Sequence, residues 1–349
     1  MRFGNIYVVV RCHALVPELL DREFLLSIAA SKDEKAMRAS LTQTPYGPYV
    51  EPLPQDARAM DYERAFYELF FHRLERIIRV ASDEMAPFLK AYFPLRYEVM
   101  NLKRVLRGKY TDASEEEIRS LLLPLPPQFI ESYDPLIEAK GVEEAVMALE
   151  GTIYKPLIDQ LEAFRELEAF WILELALSKV CFDAACDAIE EAPKRVSGFL
   201  RGFISLDRSV ENILLLESIR MALHGRQIPA EYVEGLIGYT PLCPRRIGDE
   251  LLRGRSLGEI VDSLKPPLPG ILLPAVEGDY ALVRTNLKRH LLEMAEDESR
   301  KRRFDVSYVL WFLLRCEAEV LDLTRIAWGL DQGLRPERFR RYLILTPGS

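Results

Sequence analysis

The sequence contains few of the residues from which catalytic and metal sites are commonly built. It has four histidines and five cysteines among 349 residues. The Walker A phosphate loop, the glycine-rich dinucleotide fingerprint and the paired-histidine zinc pattern are all absent from it. The cysteines are odd in number and scattered, which argues against a disulfide framework and favours a reducing compartment. No cofactor and no metal site are therefore predicted.

Long apolar runs are also missing. The longest ones, such as residues 308–314, are far shorter than the roughly 20 residues that span a bilayer, and the first residues have too short an apolar core for a signal peptide. A net charge of −8 argues against broad nucleic-acid binding, because neutralising phosphates requires a surplus of lysine and arginine. Any association with a membrane is therefore expected to occur through a partner protein.

Apolar residues recur at three- and four-residue spacing along most of the chain, as at Phe66, Phe70, Leu74 and Ile77. This spacing is typical of an amphipathic helix, and no convincing alternating strand pattern accompanies it. With 49% hydrophobic residues, the chain can fill a sizeable core. The predicted fold class is all-α.

Two segments far apart in the chain match each other closely. The shared positions are Glu98, Asn101, Arg104 and Gly108 in the first segment and Glu319, Asp322, Arg325 and Gly329 in the last. A looser middle copy contains Glu211, Asn212, Arg220 and Gly225. Because the first three positions of the matching segments are three residues apart, they are expected to share one polar side of a helix, with the apolar stripe facing the core. The glycines are expected to be C-caps.

A second marker repeats with a similar period. It occurs at residues 41–46 and 149–154, where it ends in Tyr46 and Tyr154, and in a looser form at residues 264–268. Two markers with a period of about 110 residues predict three helical modules. Proline-rich or cap-like stretches at residues 124–127 and 223–229 limit these modules to residues 1–122, 123–229 and 230–349. Residues 266–274, which contain four prolines, are expected to form a long loop.

One motif formally matches a catalytic pattern. The pentapeptide Gly-Arg-Ser-Leu-Gly at residues 254–258 fits the nucleophile elbow of serine hydrolases, in which a strand precedes the serine and a helix follows it. Residues 247–253 have a helical pattern, so Ser256 is expected to lie in a loop between helices. No catalytic residue is predicted, and an all-α hydrolase that uses Ser256 or an acidic metal site is the alternative to this interpretation.

Three helical copies of this length, each with a Glu/Asp-x-x-Asn/Asp-Leu-like helix, resemble the C subunit of archaeal and bacterial A/V-type ATPases and its eukaryotic counterpart, the d subunit. The most specific stretches are residues 96–109, 211–213 and 308–329. Residues 41–47 also resemble the Leu-x-x-Thr-x-Tyr-Gly segment of that family. The resemblance spans nearly the whole chain.

The resemblance implies a pseudo-threefold funnel of three similar helical modules, present in one copy per complex as a peripheral protein on the cytoplasmic face of the membrane. Its partners would be the proteolipid c-ring and the D and F subunits of the central shaft, with no nucleic acid and no catalysis of its own. Arg104, Arg107, Arg220 and Arg325 are then candidate partner-binding residues that face the axis or the shaft. The alternative is a generic helical-repeat scaffold, although its repeats are typically about 34 to 47 residues long.

Overall fold

The computed structural model describes residues 3–222, 233 and 235–346. These residues form helices, turns and loops with no strand among them, so the predicted all-α class is confirmed. The chain divides into two compact units. Unit 1 consists of Met1–Ala86 and Gly270–Ser349, and unit 2 consists of Pro87–Pro269. No helix in the described part of the chain is both long enough and apolar enough to cross a membrane.

The helices are numbered in chain order. The N-terminal part of unit 1 contains α1 (Phe3–Leu15), α2 (Arg22–Ala29), α3 (Glu34–Leu41), α4 (Gly47–Val50) and α5 (Ala59–Ile78). The stretch from the end of unit 1 through unit 2 contains α6 (Ala86–Tyr92), α7 (Pro94–Tyr110), α8 (Glu115–Leu121), α9 (Asp134–Glu138), α10 (Val142–Met147), α11 (Leu161–Leu167), α12 (Trp171–Glu190), α13 (Lys194–Ala222), α14 (Arg245–Leu252) and α15 (Leu257–Ile260). The rest of the chain contains α16 (Leu268–Val276), α17 (Tyr280–Lys301), α18 (Val306–Asp331) and α19 (Pro336–Phe339). Short 3-10 helices cover Val16–Glu18, Lys155–Gln160, Val261–Ser263 and Arg340–Tyr342.

Each unit is built around one of the two matching repeat helices. In unit 1, α18 packs along α5 and α17, and α1 also contacts it. In unit 2, α7 packs on α12, which packs on α13. The predicted apolar stripe of α5 is confirmed, since Phe66, Phe70, Leu74 and Ile77 are all buried. Because α5 and α18 come from opposite parts of the sequence, unit 1 holds both ends of the chain in one core.

The prediction that Gly108 and Gly329 are C-caps is wrong. Both glycines lie within the last turn of their helices, α7 and α18. A Cβ atom would come within 2.5 Å of Ile118 Cγ1 at the first glycine and within 2.6 Å of Phe339 Cδ1 at the second. The glycines are therefore needed for close packing, since they let the following short helix, α8 or α19, lie directly against the helix end.

The left-handed residue that ends each repeat helix comes four positions after the glycine. It is Asp112, with φ of 54°, after α7 and Gly333, with φ of 64°, after α18. The next residue donates its N–H to the carbonyl of Gly108 (2.9 Å) or Gly329 (2.8 Å). This is the 6→1 bond of a Schellman termination, and both copies therefore end their helix in the same way.

The long loop predicted at residues 266–274 is instead mostly α16. Pro269 occupies the second position of this helix, where the missing N–H costs no helical hydrogen bond, and Pro274 lies inside it. Counting prolines overestimated the loop because a proline in the first turn is compatible with a helix.

The compact units have their boundaries at Ala86 and Pro269. The predicted module limit at residues 122/123 lies within unit 2. The limit at residues 229/230 and the predicted repeat residue Gly225 lie outside the described residues. The division into three modules stays a prediction about the sequence repeat.

Candidate functional site

The polar side of the two repeat helices is buried. Glu98 and Asn101 on α7, and Glu319 and Asp322 on α18, have no solvent-accessible surface. The apolar stripes of the same helices are buried as well. A buried carboxylate is tolerated only where its oxygens are hydrogen-bonded or paired with a charge. The partners of these side chains therefore show which segments each helix holds in place.

Glu98 joins α7 to two other segments of unit 2. One carboxylate oxygen accepts the main-chain N–H groups of Gln128 and Phe129, the latter at 3.0 Å. The other oxygen accepts the hydroxyl of Tyr154 at 2.7 Å. Burial, and then the charge of Glu98, raises the pKa of Tyr154, so this hydroxyl remains protonated and donates.

Glu319 has the corresponding position in unit 1. Its Oε1 accepts the hydroxyl of Tyr46 at 2.8 Å, and its Oε2 accepts the N–H of Leu20 at 2.7 Å. Arg73 of α5, which is only 2% exposed, lies 3.4 Å from Oε1, and Arg315 lies 3.7 Å from Oε2. Burial raises the pKa of Glu319, and the two arginines oppose that rise. The network in unit 1 thus contains a buried ion pair in addition to its hydrogen bonds.

The next repeat position holds the segment that follows the short helix. Asn101 accepts the N–H of Leu123 at 2.9 Å and donates to its carbonyl at 3.1 Å. Asp322 accepts the N–H groups of Ile344 at 2.6 Å and Leu345 at 2.8 Å. Leu123 and Ile344 both lie 22 residues after the side chain that binds them. The two copies therefore use an amide and a carboxylate for the same structural task.

The third repeat position completes the contact. Arg104 donates to the carbonyl of Leu121, and Arg325 donates to that of Tyr342 at 2.5 Å, each 17 residues further along the chain. The offset between the two copies is 221 residues throughout, as between Arg104 and Arg325. The two arginines thus secure the end of the same segment in each unit.

The tyrosines connect the two copies of the network to different parts of the sequence. Tyr154 follows Glu98 by 56 residues, whereas Tyr46 precedes Glu319 by 273 residues. The last repeat helix therefore completes its network with the first tyrosine, and this pairing ties the N-terminal segments to the C-terminal helix of unit 1.

Tyr46 and Tyr154 are repeat markers in the sequence, but the repeat alone indicates no role for them. In each copy, the threonine two residues earlier, Thr44 or Thr152, donates its hydroxyl to a main-chain carbonyl three residues back. The same hydroxyl accepts the tyrosine N–H, at 3.2 and 3.1 Å respectively. The Thr-x-Tyr spacing was the available signal, since it builds a turn that presents the tyrosine to the carboxylate.

The middle copy keeps part of this chemistry. On α13, Asn212 donates to the carbonyl of Gly238 at 3.0 Å. The positions three residues before and after it are Ser209 and Leu215, where the other copies have glutamate and arginine. Ser209 Oγ lies 2.6 Å from Thr240 Oγ1. At these positions, neutral side chains have replaced the charged ones of the other two copies.

The four arginines predicted to contact partners all have acceptors within the chain. Arg104 and Arg325 bind main-chain carbonyls, as described above. Arg107 pairs with Glu174 of α12 while 64% of its side chain remains exposed. Arg220, half-buried, pairs at 2.7 Å with the glutamate three residues before it. Arg325 belongs to unit 1 and the other three to unit 2. Partner contact by these residues stays a prediction, and Arg107 is the most exposed of the four.

Ser256 is the N-cap of α15 and not a nucleophile on an elbow. Its main-chain N–H donates to Glu259 at 2.7 Å, and its hydroxyl lies 2.8 Å from the same carboxylate oxygen. The element before it is the helix α14, so the strand that a nucleophile elbow requires is missing. Among the described residues, no group of three or more His, Cys, Asp and Glu side chains is arranged to hold a metal ion.

The buried carboxyl of Asp322 gives the protein a predictable pH dependence. Burial raises its pKa to about 6, while the N–H donors at Ile344 and Leu345 oppose the rise. An unfolded aspartate titrates near pH 4, so between about pH 4 and 6 the folded protein binds more protons than the unfolded chain. The stabilisation from this group is therefore complete below about pH 4 and is lost as the pH rises through about 6. Asp322→Asn removes the titration, and urea unfolding is expected to show the variant gaining about 3 kcal/mol relative to the parent between about pH 4 and 7.

Asp331→Asn is the matched control, with the opposite sign. A hydrogen bond from Arg58 lowers the pKa of Asp331, so the stabilisation from this carboxylate is present at neutral pH and is lost as the pH falls below about 4. A stability difference between Asp322→Asn and the parent that stays constant from about pH 4 to 7 would contradict the role given to Asp322.

Comparison with known proteins places this chain in a family. The family model described as ATP synthase (C/AC39) subunit matches residues 8–342. The chain is similar to the C subunit of the A-type ATP synthase of Methanocaldococcus jannaschii, with 27% identity over 347 residues that cover 97% of this chain and 86% of that protein. For the C subunit of the Pyrococcus horikoshii enzyme the identity is 23% over 343 residues, covering 97% and 89%. For that of Haloferax volcanii it is 28% over 265 residues, covering 74% of each chain. Because the family model matches nearly the whole length, this chain belongs to the ATP synthase (C/AC39) subunit family.

Proposed function

We propose that this chain is the central-stalk rotor subunit of an A/V-type ATPase and joins the membrane proteolipid ring to the shaft formed by the D and F subunits. The observation that carries the proposal is the family match over residues 8–342, supported by relatives that are C subunits of A-type ATP synthases and align along most of their length. In this role the protein has no catalytic residue and is present in one copy per complex. It contacts the membrane through the ring, on the cytoplasmic face. The alternative of a helical-repeat scaffold has no comparable support.

In this role the chain transmits torque. Ion flow through the ring turns this subunit and the shaft, which drives ATP synthesis in the catalytic head, and ATP hydrolysis drives the same parts in reverse. A torque-transmitting part has to resist deformation. Buried polar networks that connect separate segments make a core more rigid, and Glu98 and Glu319 each join three or more groups from distant segments. These networks are thus consistent with the stiffness expected of a coupling protein.

The proposal is tested by assembling the ATPase in vesicles with and without this chain. Without it, we expect ATP hydrolysis by the catalytic head to continue while ATP-driven ion transport is lost, because the ring is no longer connected to the shaft. Adding the purified chain back should restore transport. Full ion transport by vesicles shown by mass spectrometry to lack this chain would refute the coupling role.

A binding measurement complements the assembly experiment. Tagged chain is recovered from detergent-solubilised native membranes, and the co-purifying proteins are identified by mass spectrometry. Recovery of the proteolipid ring together with the D and F subunits is expected. If neither is recovered while the rest of the ATPase is intact in the same extract, the proposal fails.

A further inference from the structure

The segment that follows the middle repeat helix is held differently from its counterpart in the same unit. Residues 236–243, which lie against α13, are called the middle strap. Residues 123–129, which lie against α7, are called the first strap. Three side-chain contacts join the middle strap to α13: Arg208 Nη2 to the carbonyl of Leu236 at 3.3 Å, Asn212 Nδ2 to the carbonyl of Gly238 at 3.0 Å, and Ser209 Oγ to Thr240 Oγ1 at 2.6 Å.

The first strap is anchored to α7 through its own main-chain N–H groups. Leu123 donates its N–H to Asn101 at 2.9 Å, and the N–H groups of Gln128 and Phe129 donate to Glu98. This strap cannot leave α7 without breaking all of these hydrogen bonds. Each of them would have to be replaced by a bond to water.

The main-chain N–H groups of the middle strap bond mainly within the strap. Tyr239 donates to the carbonyl of Ile237 at 3.1 Å, and Thr240 donates to the carbonyl of Cys243 at 3.1 Å. The N–H of Cys243 in turn donates to the hydroxyl of Thr240 at 3.0 Å. The middle strap can therefore move away from α13 without breaking these three bonds.

The side chains that hold the middle strap are themselves incompletely paired. Asn212 is 1% exposed and Arg208 is 8% exposed. Within the part of the chain that the structure describes, Asn212 Oδ1 has no donor and Arg208 Nε has no acceptor. Asn101, by contrast, uses both its oxygen and its nitrogen on Leu123. A buried polar atom without a partner costs free energy that is recovered when water reaches it, so these atoms favour opening.

Arg208 is also a buried cation that contacts no carboxylate among the described residues. Its guanidinium lies 5.3 Å from the centre of the Phe182 ring. In unit 1 the buried Arg73 has Glu319 at 3.4 Å, whereas the middle copy has Ser209 at the repeat position of that glutamate. Burial lowers the pKa of Arg208, because a charge removed from water is costly unless it is paired. Opening of the middle strap relieves this cost.

Apolar contacts keep the middle strap closed for most of the time. Leu236, Ile237 and Cys243 are buried, and their burial favours the closed state. The strap also lies directly on α12, since a Cβ atom added to Gly238 would come within 2.4 Å of Phe182 Cδ1. Burial raises the pKa of the Cys243 thiol to about 12. A buried, protonated thiol is inert, so reaction of Cys243 reports that the strap has opened.

We propose that the middle strap opens locally, ahead of the rest of unit 2, while the helices of that unit stay folded. The open state uncovers the surface of α13 around Asn212 and the ring of Phe182 on α12. This inference depends only on contacts within the chain and stands whether or not the coupling function does. In a coupling subunit, such a strap supplies one compliant segment, since segments that move are the least stable parts of a fold.

The test is alkylation of the full-length parent chain by N-ethylmaleimide at neutral pH, with each cysteine followed by peptide mass spectrometry. Cys243 is expected to react roughly tenfold or more faster than Cys12 and Cys316, which are equally buried in unit 1. Below the unfolding transition, urea is expected to change the rate at Cys243 very little, because a local opening exposes little surface. The rates at the other two cysteines are expected to rise with urea.

Two glycine variants examine what the opening separates. Gly238→Ala is expected to raise the alkylation rate of Cys243 by roughly tenfold, because the added Cβ overpacks the contact with Phe182 and weakens the closed state. Gly235→Ala is the matched control, since no atom lies within 4 Å of its added Cβ. The rate in this control is expected to stay close to that of the parent.

Each result supports or overturns the local opening. If Cys243 reacts no faster than Cys12 and Cys316, the middle strap does not open separately. If its rate rises with urea as steeply as theirs, unfolding of the unit exposes the thiol and the inference is overturned. If Gly238→Ala and Gly235→Ala react alike, the opening does not separate the strap from α12. The measurement on the parent chain needs no variant, and circular dichroism shows whether each variant keeps its fold.

Discussion

Replacing Glu319 with alanine is expected to lower the free energy of unfolding by about 3 to 5 kcal/mol, the typical loss when one partner of a buried ion pair is removed. The variant removes the buried carboxylate partner of Arg73, which is 2% exposed, and leaves it only the partly exposed carboxylate of Glu18 at 3.6 Å. It also removes the acceptor for the Leu20 N–H and the Tyr46 hydroxyl. Urea unfolding followed by circular dichroism at neutral pH measures the loss. Because these contacts hold the N-terminal segments, cleavage near Leu20 by a protease added in limited amount should become faster.

A double substitution shows whether the stranded arginine causes the loss. In Glu319→Leu/Arg73→Met the charge pair is replaced by apolar side chains, a change that is often neutral in other proteins. The double variant is therefore expected to recover a large part of the stability lost in Glu319→Ala. Glu75→Ala is the control, since Glu75 forms an exposed pair with Arg79, and such pairs contribute roughly 0 to 1 kcal/mol. If the double variant lost as much stability as Glu319→Leu and Arg73→Met lose separately, added together, the buried ion pair would not be the cause.

Gly329→Val is expected to destabilise unit 1 by about 1 to 3 kcal/mol, as measured by urea unfolding, because of overpacking. The new Cβ would lie 2.6 Å from Cδ1 of Phe339, whose ring is buried against the helix end. Either α19 or the ring has to move, and a β-branched side chain also restricts the helix. The same substitution at Gly108 is expected to act similarly in unit 2, where Ile118 occupies the equivalent position.

The control for this prediction is a glycine in a helix interior with open space around it. Gly202 lies within α13 and has no atom within 4 Å of an added Cβ. Gly202→Ala is expected to raise stability by about 0.5 to 1 kcal/mol, the usual difference in helix propensity. If Gly329→Val were tolerated without loss, the contact with Phe339 would not be the reason for glycine at this position.

Both substitutions test the same feature of the molecule. The repeat helix of each unit is held from two sides: its buried polar side binds loops through hydrogen bonds, and its C-terminal end packs against a short helix at a glycine. Equivalent contacts recur at the same offset in unit 2 and unit 1. The sequence repeat therefore encodes a structural role, which is to hold the helix against its neighbouring segments. In a subunit proposed to carry torque, loosening either contact is expected to reduce the stiffness of the unit that contains it.

Much of the fold could be predicted from local patterns. The spacing of apolar residues in α5 predicted a helix and its buried face, and the structure confirms both. The match between the segments at Glu98 and Glu319 correctly identified related helices. Their glycines were misread because sequence shows only that a small residue recurs. Whether it serves the backbone or makes room for a neighbour depends on the side chain of Ile118 or Phe339, which comes from a later helix.

The partners of the polar residues could not be predicted from their own spacing. Glu, Asn or Asp, and Arg at intervals of three indicate one side of a helix, but the same pattern fits a solvated face, a partner contact or a buried network. Burial distinguishes these cases. Burial depends on segments that are far apart in the sequence, such as those that contain Tyr46 and Glu319, which are 273 residues apart.

The sequence by itself determined the all-α class, the repeated helix with its polar and apolar sides, and the resemblance to a component of rotary ATPases, because these follow from periodicity and from motifs that are local in the chain. Only the tertiary structure decided that the polar side is buried and that the C-terminal helix α18 takes its partners from the N-terminal segments. Those outcomes depend on which distant surfaces exclude water from one another. No local pattern contains that information, since the same side chain is satisfied equally well by water or by a main-chain group brought to it by the fold.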